Sequence, residues 1–395
     1  MQLKQKIDQL TDQCVKCGMC LPSCPTYQLS KNENESPRGR IALMQGIVKG
    51  ELSLSPNVIQ HLDHCLGCLS CEKICPSKVE YETLIDAIRE YTVTENKISF
   101  QEKLISFLIK PTVQNNLFSL LRFYQRSGIQ KLLRFAGLLK LIGLSKQEQL
   151  LPKLYTRLKL QPSYSAKQNS LGSVALFTGC MGQHFEQAAI VASIKVLTQL
   201  GYDVEIPKQV CCGALHQHSG FRQQADALAK TNARFLLNKS YQAILFTASG
   251  CGAQLKTSLQ QDQVSVSSLM DFILQHTRKH PVSFARIEQA VAVHQPCSLQ
   301  NTLKQSDAVI LLLSKIPQLE IIELQSQCCG AAGKNMLSQT KLANQIRQPL
   351  LEQIQQTSAD VVVSSNIGCA LHLTAGLQSK RPVIHPIELI AESLQ

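Results

Sequence analysis

The sequence CVKCGMCLPSCP spans residues 14–25, and CLGCLSCEKICP spans residues 65–76. In both stretches, gaps of two, two and three residues separate four cysteines, and a proline follows the last. Every cysteine of the second stretch lies 51 residues after its counterpart in the first. A duplication of this kind indicates one small module built from two equivalent halves.

This spacing is typical of bacterial ferredoxins with two 4Fe-4S clusters, in which the fourth cysteine of each run ligates the other cluster. Three thiolates of a tight loop can bind three irons of a cubane, so the fourth iron needs a ligand from the other run. The predicted ligands of one cluster are Cys14, Cys17, Cys20 and Cys75, and those of the other are Cys65, Cys68, Cys71 and Cys24. Two structural zinc sites are the alternative, but zinc requires neither the triple run nor the proline.

Eight further cysteines form a second, longer repeat. Cys180, Cys211, Cys212 and Cys251 recur as Cys297, Cys328, Cys329 and Cys369, with displacements of 117, 117, 117 and 118 residues. Apolar runs predict strands at residues 173–177, 203–206 and 243–247 of the first copy, and at residues 290–294, 320–324 and 360–364 of the second. Helical patterns lie between them, and residues 301–314 are one such predicted helix. Strands alternating with helices imply parallel sheets, so each copy is predicted to be a small α/β unit.

In each copy the cysteines follow the three predicted strands, and the carboxyl ends of parallel strands meet at one edge of a sheet. We therefore expect each set of four thiols to converge. Another iron-sulfur cluster, a zinc ion or a reversible thiol-disulfide couple would suit such a set. The alternative is that these cysteines act only as small buried apolar residues. The nearby histidines are not predicted to be ligands; they are His184, His216, His218, His294 and His372.

All sixteen cysteines of this 395-residue chain fall into these four groups. No stretch near the start has the basic, apolar and small-residue segments of an export signal, so we expect a cytoplasmic protein. In a reducing compartment, clustered cysteines are more often metal ligands than structural disulfides. No apolar run approaches the roughly 20 residues that a membrane-spanning helix needs.

The region between the two repeats is strongly basic. Residues 97–159 contain twelve Lys or Arg residues against Glu102 and Glu148, a net charge of +10. Apolar residues recur among these charges at Phe100, Phe107, Leu108, Phe118, Leu121, Phe123, Leu132, Phe135 and Leu139. Apolar residues at helical intervals more often pack inside their own domain, but so many unopposed basic charges suggest attachment to an anionic membrane surface, with an acidic flavin subunit as the alternative partner. No nucleic acid partner is predicted, because no recognised binding motif accompanies the charge.

The expected fold class is α+β multidomain. An α-helical, two-cluster ferredoxin-like module is predicted at residues 1–96 and a basic helical connector at residues 97–170. Two duplicated α/β cysteine-rich domains with parallel sheets follow at residues 171–285 and 286–395. The polar residues 161–170 are expected to be a linker.

The chain resembles the iron-sulfur subunit of bacterial glycolate oxidase (glycolate dehydrogenase) over nearly its full length. The resemblance rests on the double cysteine run, the basic middle and the two cysteine-rich copies, together with four local phrases. These are CPTYQL at residues 24–29, PRGRI at 37–41, TASGCG at 247–252 and NIGC at 366–369. Similar architectures occur in the iron-sulfur subunit of anaerobic glycerol-3-phosphate dehydrogenase and in heterodisulfide reductases.

The resemblance implies a complex in which flavin-binding subunits, carrying FAD, oxidise glycolate to glyoxylate. This chain would carry the electrons onward to a membrane acceptor such as a quinone, and would lie on the inner face of the cell membrane. The sequence agrees in having no Gly-x-Gly-x-x-Gly dinucleotide fingerprint and no acid-base constellation for alcohol oxidation. No catalytic residue is therefore predicted in this chain.

The chain departs from the heterodisulfide reductase pattern, in which the last cysteine segment of each copy reads Cys-x-x-Cys. Ala248 and Asn366 stand where the additional cysteines would be. The double-cubane-like cluster of those enzymes is therefore not implied, although four thiolates can still hold a conventional cluster. A heterodisulfide-reductase-like thiol-disulfide enzyme, a subunit of another hydroxyacid or glycerol-3-phosphate dehydrogenase, and a zinc-stabilised scaffold are the alternative functions.

Overall fold

The computed structural model describes residues 2–95, 111–141, 148, 151–152, 154, 156, 158–259, 264–378 and 380–395. Part of the basic region, including the predicted surface residues Phe100, Phe107 and Leu108, lies outside the described residues.

The N-terminal module is helical. Its helices are α1 (Gln2–Asp12), α2 (Pro25–Ser30), α3 (Pro37–Val48), α4 (Pro56–Asp63), α5 (Ser70–Lys73) and α6 (Tyr81–Glu95), with a 3-10 turn at Glu33–Glu35. Three of these helices begin with proline, whose fixed φ suits the first helical turn and whose missing N–H costs no hydrogen bond there. Ile7, Met44, Leu84 and Ile88 are completely buried and form the centre of the module. The two cysteine runs lie mostly in the loops that this helical core supports.

The basic middle is helical where it is described, with α7 (Pro111–Arg126), α8 (Ile129–Phe135) and α9 (Leu138–Leu141). Gly128 takes a left-handed conformation (φ 82°) that turns the chain between α7 and α8. The buried ring of Phe118 packs against His184, with ring centroids 4.1 Å apart, and so attaches α7 to the following domain.

The first α/β unit contains a five-stranded sheet in the order β1-β3-β2-β4-β5. Its strands are β1 (Ser163–Tyr164), β2 (Gly172–Phe177), β3 (Tyr202–Glu205), β4 (Ala243–Phe246) and β5 (Val266–Ser268). Its helices are α10 (Gly179–Phe185), α11 (Gln187–Gln199), α12 (Ala214–Gln217), α13 (Arg222–Leu236), α14 (Ser249–Ser258) and α15 (Leu269–Lys279). β1 is antiparallel to β3, and the other pairs are parallel.

The second unit contains a four-stranded parallel sheet in the order β7-β6-β8-β9. Its strands are β6 (Gln289–His294), β7 (Leu319–Glu323), β8 (Val361–Ser364) and β9 (Val383–Ile384). Its helices are α16 (Asp307–Leu313), α17 (Asn335–Ser338), α18 (Thr340–Gln356), α19 (Ile367–Leu377) and α20 (Pro386–Ser393), and a π-helical turn spans Ser298–Leu303.

The two units share one apolar core, which contains buried residues of both sheets. The C-terminal helix α20 packs against α11 of the first unit, and Lys195 Nζ donates a 2.6 Å hydrogen bond to the carbonyl of Ala391. Polar contacts join the strand ends. Asn366 Nδ2 donates to Ser249 Oγ and Ser298 Oγ, each at 3.2 Å. The duplicated halves therefore form one body with their cysteine-bearing edges close together.

The α+β class with parallel sheets is confirmed, and each predicted strand of the two repeats is present within one or two residues. Two local predictions were wrong. The expected helix at residues 301–314 is divided at Lys304, which has a left-handed φ of 56° after the π-helical turn. Residues 161–170, expected as a linker, contribute β1, and Asp203 accepts hydrogen bonds from Ala166 N and Ser170 Oγ. The predicted domain boundaries stay predictions.

Candidate metal centres

The first predicted ligand set lines a single cavity of the N-terminal module. Cys14, Cys17 and Cys20 border the same cavity as Cys75, which is contributed by the other run, and Cys71 of the second predicted set also lines it. Part of this cavity opens to solvent. The structure therefore brings together the four thiols that the duplicated spacing assigns to one cluster.

Arg38 supports the loop that carries these cysteines. Its Nη1 donates a 3.1 Å hydrogen bond to the carbonyl of Lys16, and its Nε donates at 2.7 Å to Glu33. Gly18 has φ 85°, and a Cβ there would lie 2.6 Å from Arg38 Nη1. Glycine is favoured at this position because few other residues adopt a φ of 85°.

The second predicted set lies deeper in the protein. Cys24, Cys65 and Cys71 are buried, and Cys68 is partly buried. Burial raises the pKa of the Cys71 thiol, and the neighbouring thiols of the set raise it further. Arg89 Nη2 donates a 2.6 Å hydrogen bond to the carbonyl of Cys65 and so holds the loop against α6.

A buried charge network lies beside this second set. Arg40 Nη2 is 2.6 Å from Glu35 Oε2, and Arg40 Nη1 approaches Cys24 Sγ at 4.0 Å. Glu35 Oε1 also contacts His61 Nδ1 at 2.6 Å and His64 Nδ1 at 2.9 Å. Burial acts to raise the pKa of Glu35, but the bonds from the two histidines and the charge of Arg40 lower it below its ordinary value. Glu35 thus stays ionised, and a cation is fixed next to the thiol of Cys24.

The spacing of these eight thiols differs from that of a zinc site. Tetrahedral Zn–S bonds of 2.3 Å bring thiolate sulfurs to about 3.8 Å from one another. Among the described residues, none of the N-terminal cysteines belongs to a group of three donor side chains whose ligand atoms all lie within 4.8 Å. The thiolate ligands of a 4Fe-4S cubane bind different irons and lie farther apart than those of zinc. The eight N-terminal thiols therefore fit a cubane better than a zinc ion.

In the first cysteine-rich unit, Cys180, Cys211, Cys212 and Cys251 lie within one apolar cluster at the carboxyl edge of the sheet. Hydrogen bonds link them in the order Cys180, Cys211, Cys212, Cys251. The bond from Cys180 is the largest cause that lowers the pKa of Cys211 well below its ordinary value, followed by bonds from Cys212 and, more weakly, from His216. Cys211 is therefore the thiol of this set that loses its proton most readily.

The second unit repeats this arrangement with Cys297, Cys328, Cys329 and Cys369, which are hydrogen-bonded in that order. Cys329 Sγ lies 2.9 Å from Cys369 Sγ. The expected convergence of each cysteine set is therefore present in the structure, and their role as ligands stays a prediction.

The second cysteine run of the N-terminal module contacts the second cysteine-rich unit. Cys68 and Cys297 pack on the same small apolar cluster, which contains Leu66, Cys328 and Ile346. The pKa of Cys68 is raised to about 12, chiefly by burial and in smaller part by the nearby Cys297. Asn301 Nδ2 donates a 2.7 Å hydrogen bond to the carbonyl of Cys68 across this junction. Two cysteine sets far apart in sequence are thus neighbours.

Two polar features beside the cysteines were missed by the sequence analysis. Arg40 lies within the phrase PRGRI, but its burial against Glu35 depends on tertiary packing. His294 is not predicted to be a ligand, yet one of its ring nitrogens lies within 4.8 Å of the sulfurs of Cys329 and Cys369. Its position at the end of a predicted strand, three residues before Cys297, was the available signal.

Three family models match the chain. A 4Fe-4S dicluster domain matches residues 10–79, and the linker region of glycolate oxidase iron-sulfur subunits matches residues 100–151. The cysteine-rich domain matches twice, at residues 174–256 and 291–374. The N-terminal part is therefore a 4Fe-4S dicluster domain, and each copy of the long repeat is a cysteine-rich domain.

Similar curated proteins extend over nearly the whole chain. The probable glycolate oxidase iron-sulfur subunit of Bacillus subtilis (strain 168) is 31% identical over 96% of this chain and 93% of its own length. The glycolate oxidase iron-sulfur subunit of Escherichia coli (strain K12) is 30% identical over 98% and 95%. One subunit of the dihydromethanophenazine:CoB–CoM heterodisulfide reductase of Methanosarcina mazei is 23% identical over 97% and 94%.

Among solved structures, glutamate racemase RacE1 of Bacillus anthracis covers 57% of this chain and 80% of its own, with 13% identity and a TM-score of 0.26, too low to support an argument. Among the described residues, no helix combines the length and apolar character needed to cross a membrane.

Proposed function

The chain belongs to the family of glycolate oxidase iron-sulfur subunits, and from that premise we propose that it is the electron-transfer subunit of a flavin-dependent glycolate dehydrogenase. In this proposal, partner subunits that bind FAD oxidise glycolate to glyoxylate. This chain takes up the electrons and delivers them towards a quinone in the cytoplasmic membrane. The observation that carries the proposal is the cavity shared by Cys14, Cys17, Cys20 and Cys75.

Eight N-terminal cysteines would hold two 4Fe-4S clusters, in the two sets given by the duplicated spacing. When bound, such clusters supply one-electron transfer, which is the chemistry that a flavin subunit needs from its partner. The residues of this chain fix the position and the electrostatic surroundings of that chemistry. Arg40 Nη1 approaches Cys24 Sγ at 4.0 Å, and a donor beside a ligand sulfur favours the reduced, more negative state of a bound cluster.

The junction at Cys68 supports a path between the N-terminal module and the second cysteine-rich unit. Cys68 and Cys297 pack on one apolar cluster, so no layer of protein separates the second run from the second unit. We propose that the two sites exchange electrons directly across this contact.

An anionic membrane surface on the cytoplasmic side is the proposed docking partner of the basic middle. Leu120, Phe123, Leu132 and Phe135 are exposed on α7 and α8, and Phe135 is 93% exposed. Lys131 and Arg126 are exposed among them. Apolar side chains beside basic ones suit the interface of anionic lipid, where both contribute to binding.

The proposal is tested by expressing the chain with its candidate flavin subunits and purifying the complex without oxygen. We expect glycolate-dependent reduction of a quinone analogue, measured against D-lactate and glycerol-3-phosphate as competing substrates. The N-terminal module should contain about eight irons, with matching acid-labile sulfide. Stoichiometric zinc without sulfide would contradict the proposal.

Cys20→Ser serves as the variant for the cluster assignment. It should remove about four irons and damage the neighbouring cluster, because its loop also carries Cys24. Met19→Leu is the matched control, since Met19 is exposed in the same loop and offers no thiolate. Equal iron content in the two variants would remove Cys20 from the ligand set.

A further inference from the structure

The two cysteine-rich units differ at the strand ends that face their thiols. In the first unit, β2 and β4 end at Phe177 and Phe246, which are register partners. In the second unit, the corresponding strands β6 and β8 end at His294 and Ser364, which are paired in the same way. All four side chains are buried. The duplication has therefore placed an imidazole and a hydroxyl where the other copy has two phenyl rings.

In the first unit this place is filled by a ring. A Cβ added at Gly252, the residue after Cys251, would lie only 2.2 Å from Cζ of Phe246. Glycine is therefore needed beside the last cysteine, because the phenyl group occupies the space next to it. The second unit has Ala370 after Cys369, and its strand ends in the small Ser364.

In the second unit the imidazole is held with one nitrogen available. His294 Nδ1 lies 3.0 Å from Ser364 Oγ, and a ring nitrogen lies within 4.8 Å of both Cys329 Sγ and Cys369 Sγ. Nε2 is buried without a hydrogen-bond partner among the described residues. When Nδ1–H donates to Ser364, Nε2 carries the free lone pair that a metal requires.

We propose that His294 Nε2 is a metal ligand in the second cysteine-rich unit, which makes this site a mixed sulfur and nitrogen centre. The inference rests on the proposed function in taking the cysteines of the second set as ligands. A neutral imidazole adds no negative charge to the centre. Imidazole ligands raise the potential of iron-sulfur centres that otherwise have only thiolates, so the two repeats would differ in potential.

The test compares the full chain with His294→Phe, which installs the side chain of the first repeat, and His294→Cys, which keeps a donor of another element. His372→Phe is the control. His372 is also buried, and neither of its ring nitrogens has a partner among the described residues, but it lies outside the group formed by His294, Cys329 and Cys369. Circular dichroism confirms that each variant is folded.

Anaerobically reconstituted protein is reduced and examined by pulsed EPR, which detects a bound iron-sulfur cluster. If the protein contains zinc instead, the zinc site is examined by X-ray absorption. We expect an imidazole ¹⁴N coupling, or a nitrogen scatterer if the bound metal is zinc. The signal should disappear in both His294 variants and persist in His372→Phe. A metal-loaded second site with sulfur ligands only, a nitrogen signal that survives His294→Phe, or a second site without metal would overturn the inference.

The outcome separates this inference from the proposed function. Absence of both N-terminal clusters would overturn the proposed function. Two intact N-terminal clusters together with a sulfur-only second site would overturn only the role of His294.

Discussion

Arg40 is 1% exposed, and the carboxylate of Glu35 balances its charge inside the N-terminal module. A buried ion pair is costly to break, because removal of one partner leaves the other charge without compensation in a poor solvent for ions. The neighbouring Gly39 cannot be replaced by a larger residue without a shift of the backbone, since a Cβ there would lie 1.9 Å from the carbonyl oxygen of Glu33. The phrase PRGRI is thus explained by packing around Cys24.

Glu186 gives the first prediction at this scale. Its buried carboxyl accepts a 3.4 Å hydrogen bond from Thr247 Oγ1, and burial raises its pKa from 4.5 to about 8. The folded chain therefore binds this proton more tightly than the unfolded chain. The contribution of this proton to the free energy of unfolding is fully present below pH 4.5. It falls by about 1.4 kcal/mol per pH unit as the pH rises from 4.5 to about 8.

Glu186→Gln should flatten the pH dependence of the thermal unfolding midpoint between pH 5 and about 8, and the variant should be the more stable protein at the alkaline end. Glu352→Gln is the matched control, since it removes a carboxylate from the exposed face of α18. Parallel pH profiles for Glu186→Gln and the parent protein would show that the carboxyl is ionised throughout.

Individual cysteines were predictable, whereas their polar neighbours were not. Metal-ligand spacing is a local property of the chain, so the duplicated runs identified the thiols that share a cavity. The surroundings of His294 depend on Ser364, which is 70 residues away and becomes a neighbour only through strand pairing. A lone histidine carries no sign of such a partner in the sequence.

At the level of elements, strands buried on both faces were the easiest to predict. β4 and β8 are completely buried, and a short apolar run has few alternatives in a chain that alternates with helices. β1 was missed because it is two residues long at a sheet edge, where polar side chains are tolerated. The break at Lys304 was missed because nothing in its side chain requires a left-handed backbone.

The helices α7 and α8 give a prediction on membrane binding. At low salt the chain should sediment with anionic vesicles and not with neutral ones. Phe135→Ser combined with Leu132→Ser should weaken binding by at least tenfold, because each apolar side chain withdrawn from lipid loses roughly 1.5–3 kcal/mol. Lys131→Glu should weaken it by roughly thirtyfold, since the charge reversal changes two charges near the surface and each contributes about 1 kcal/mol.

Leu311→Ser is the control for this experiment, because Leu311 is an exposed apolar residue of the second cysteine-rich unit. Equal binding to neutral and anionic vesicles would contradict lipid docking. Dissociation of a flavin subunit from the Phe135 and Leu132 variant, with vesicle binding unchanged, would assign the same surface to a protein interface.

For the whole molecule, contacts between modules matter as much as the modules themselves. Asn366, which stands where heterodisulfide reductases have an additional cysteine, connects the two repeats through Ser249 and Ser298. The N-terminal module meets the second repeat at Cys68 and Asn301. The sequence predicted the modules because each has its own periodicity, but their arrangement depends on such distant pairs.

Asn301→Ala tests the junction. It leaves the carbonyl of Cys68 without its 2.7 Å hydrogen bond and removes a 3.3 Å contact with Ser70 Oγ. The loss of a hydrogen bond at this partly buried carbonyl costs about 1 kcal/mol. We expect hydrogen exchange in residues 65–73 to accelerate by about fivefold or more.

Gln300→Ala provides the comparison, since Gln300 bonds with Gln295 and Ser326 of its own unit. Exchange in residues 65–73 should be unchanged in this variant. If residues 65–73 of Asn301→Ala exchange hydrogen as slowly as those of the parent chain, the junction is held by its apolar cluster alone.

The contact between Cys68 and Cys297 also bears on the order of iron insertion and folding. During synthesis Cys68 leaves the ribosome more than two hundred residues before Cys297. The second cysteine run is therefore made before the cysteine-rich unit that packs against it. We expect iron to be inserted while this side is open, and dioxygen to reach the run until the last repeat has folded. A chain truncated before residue 286 would keep that vulnerability permanently.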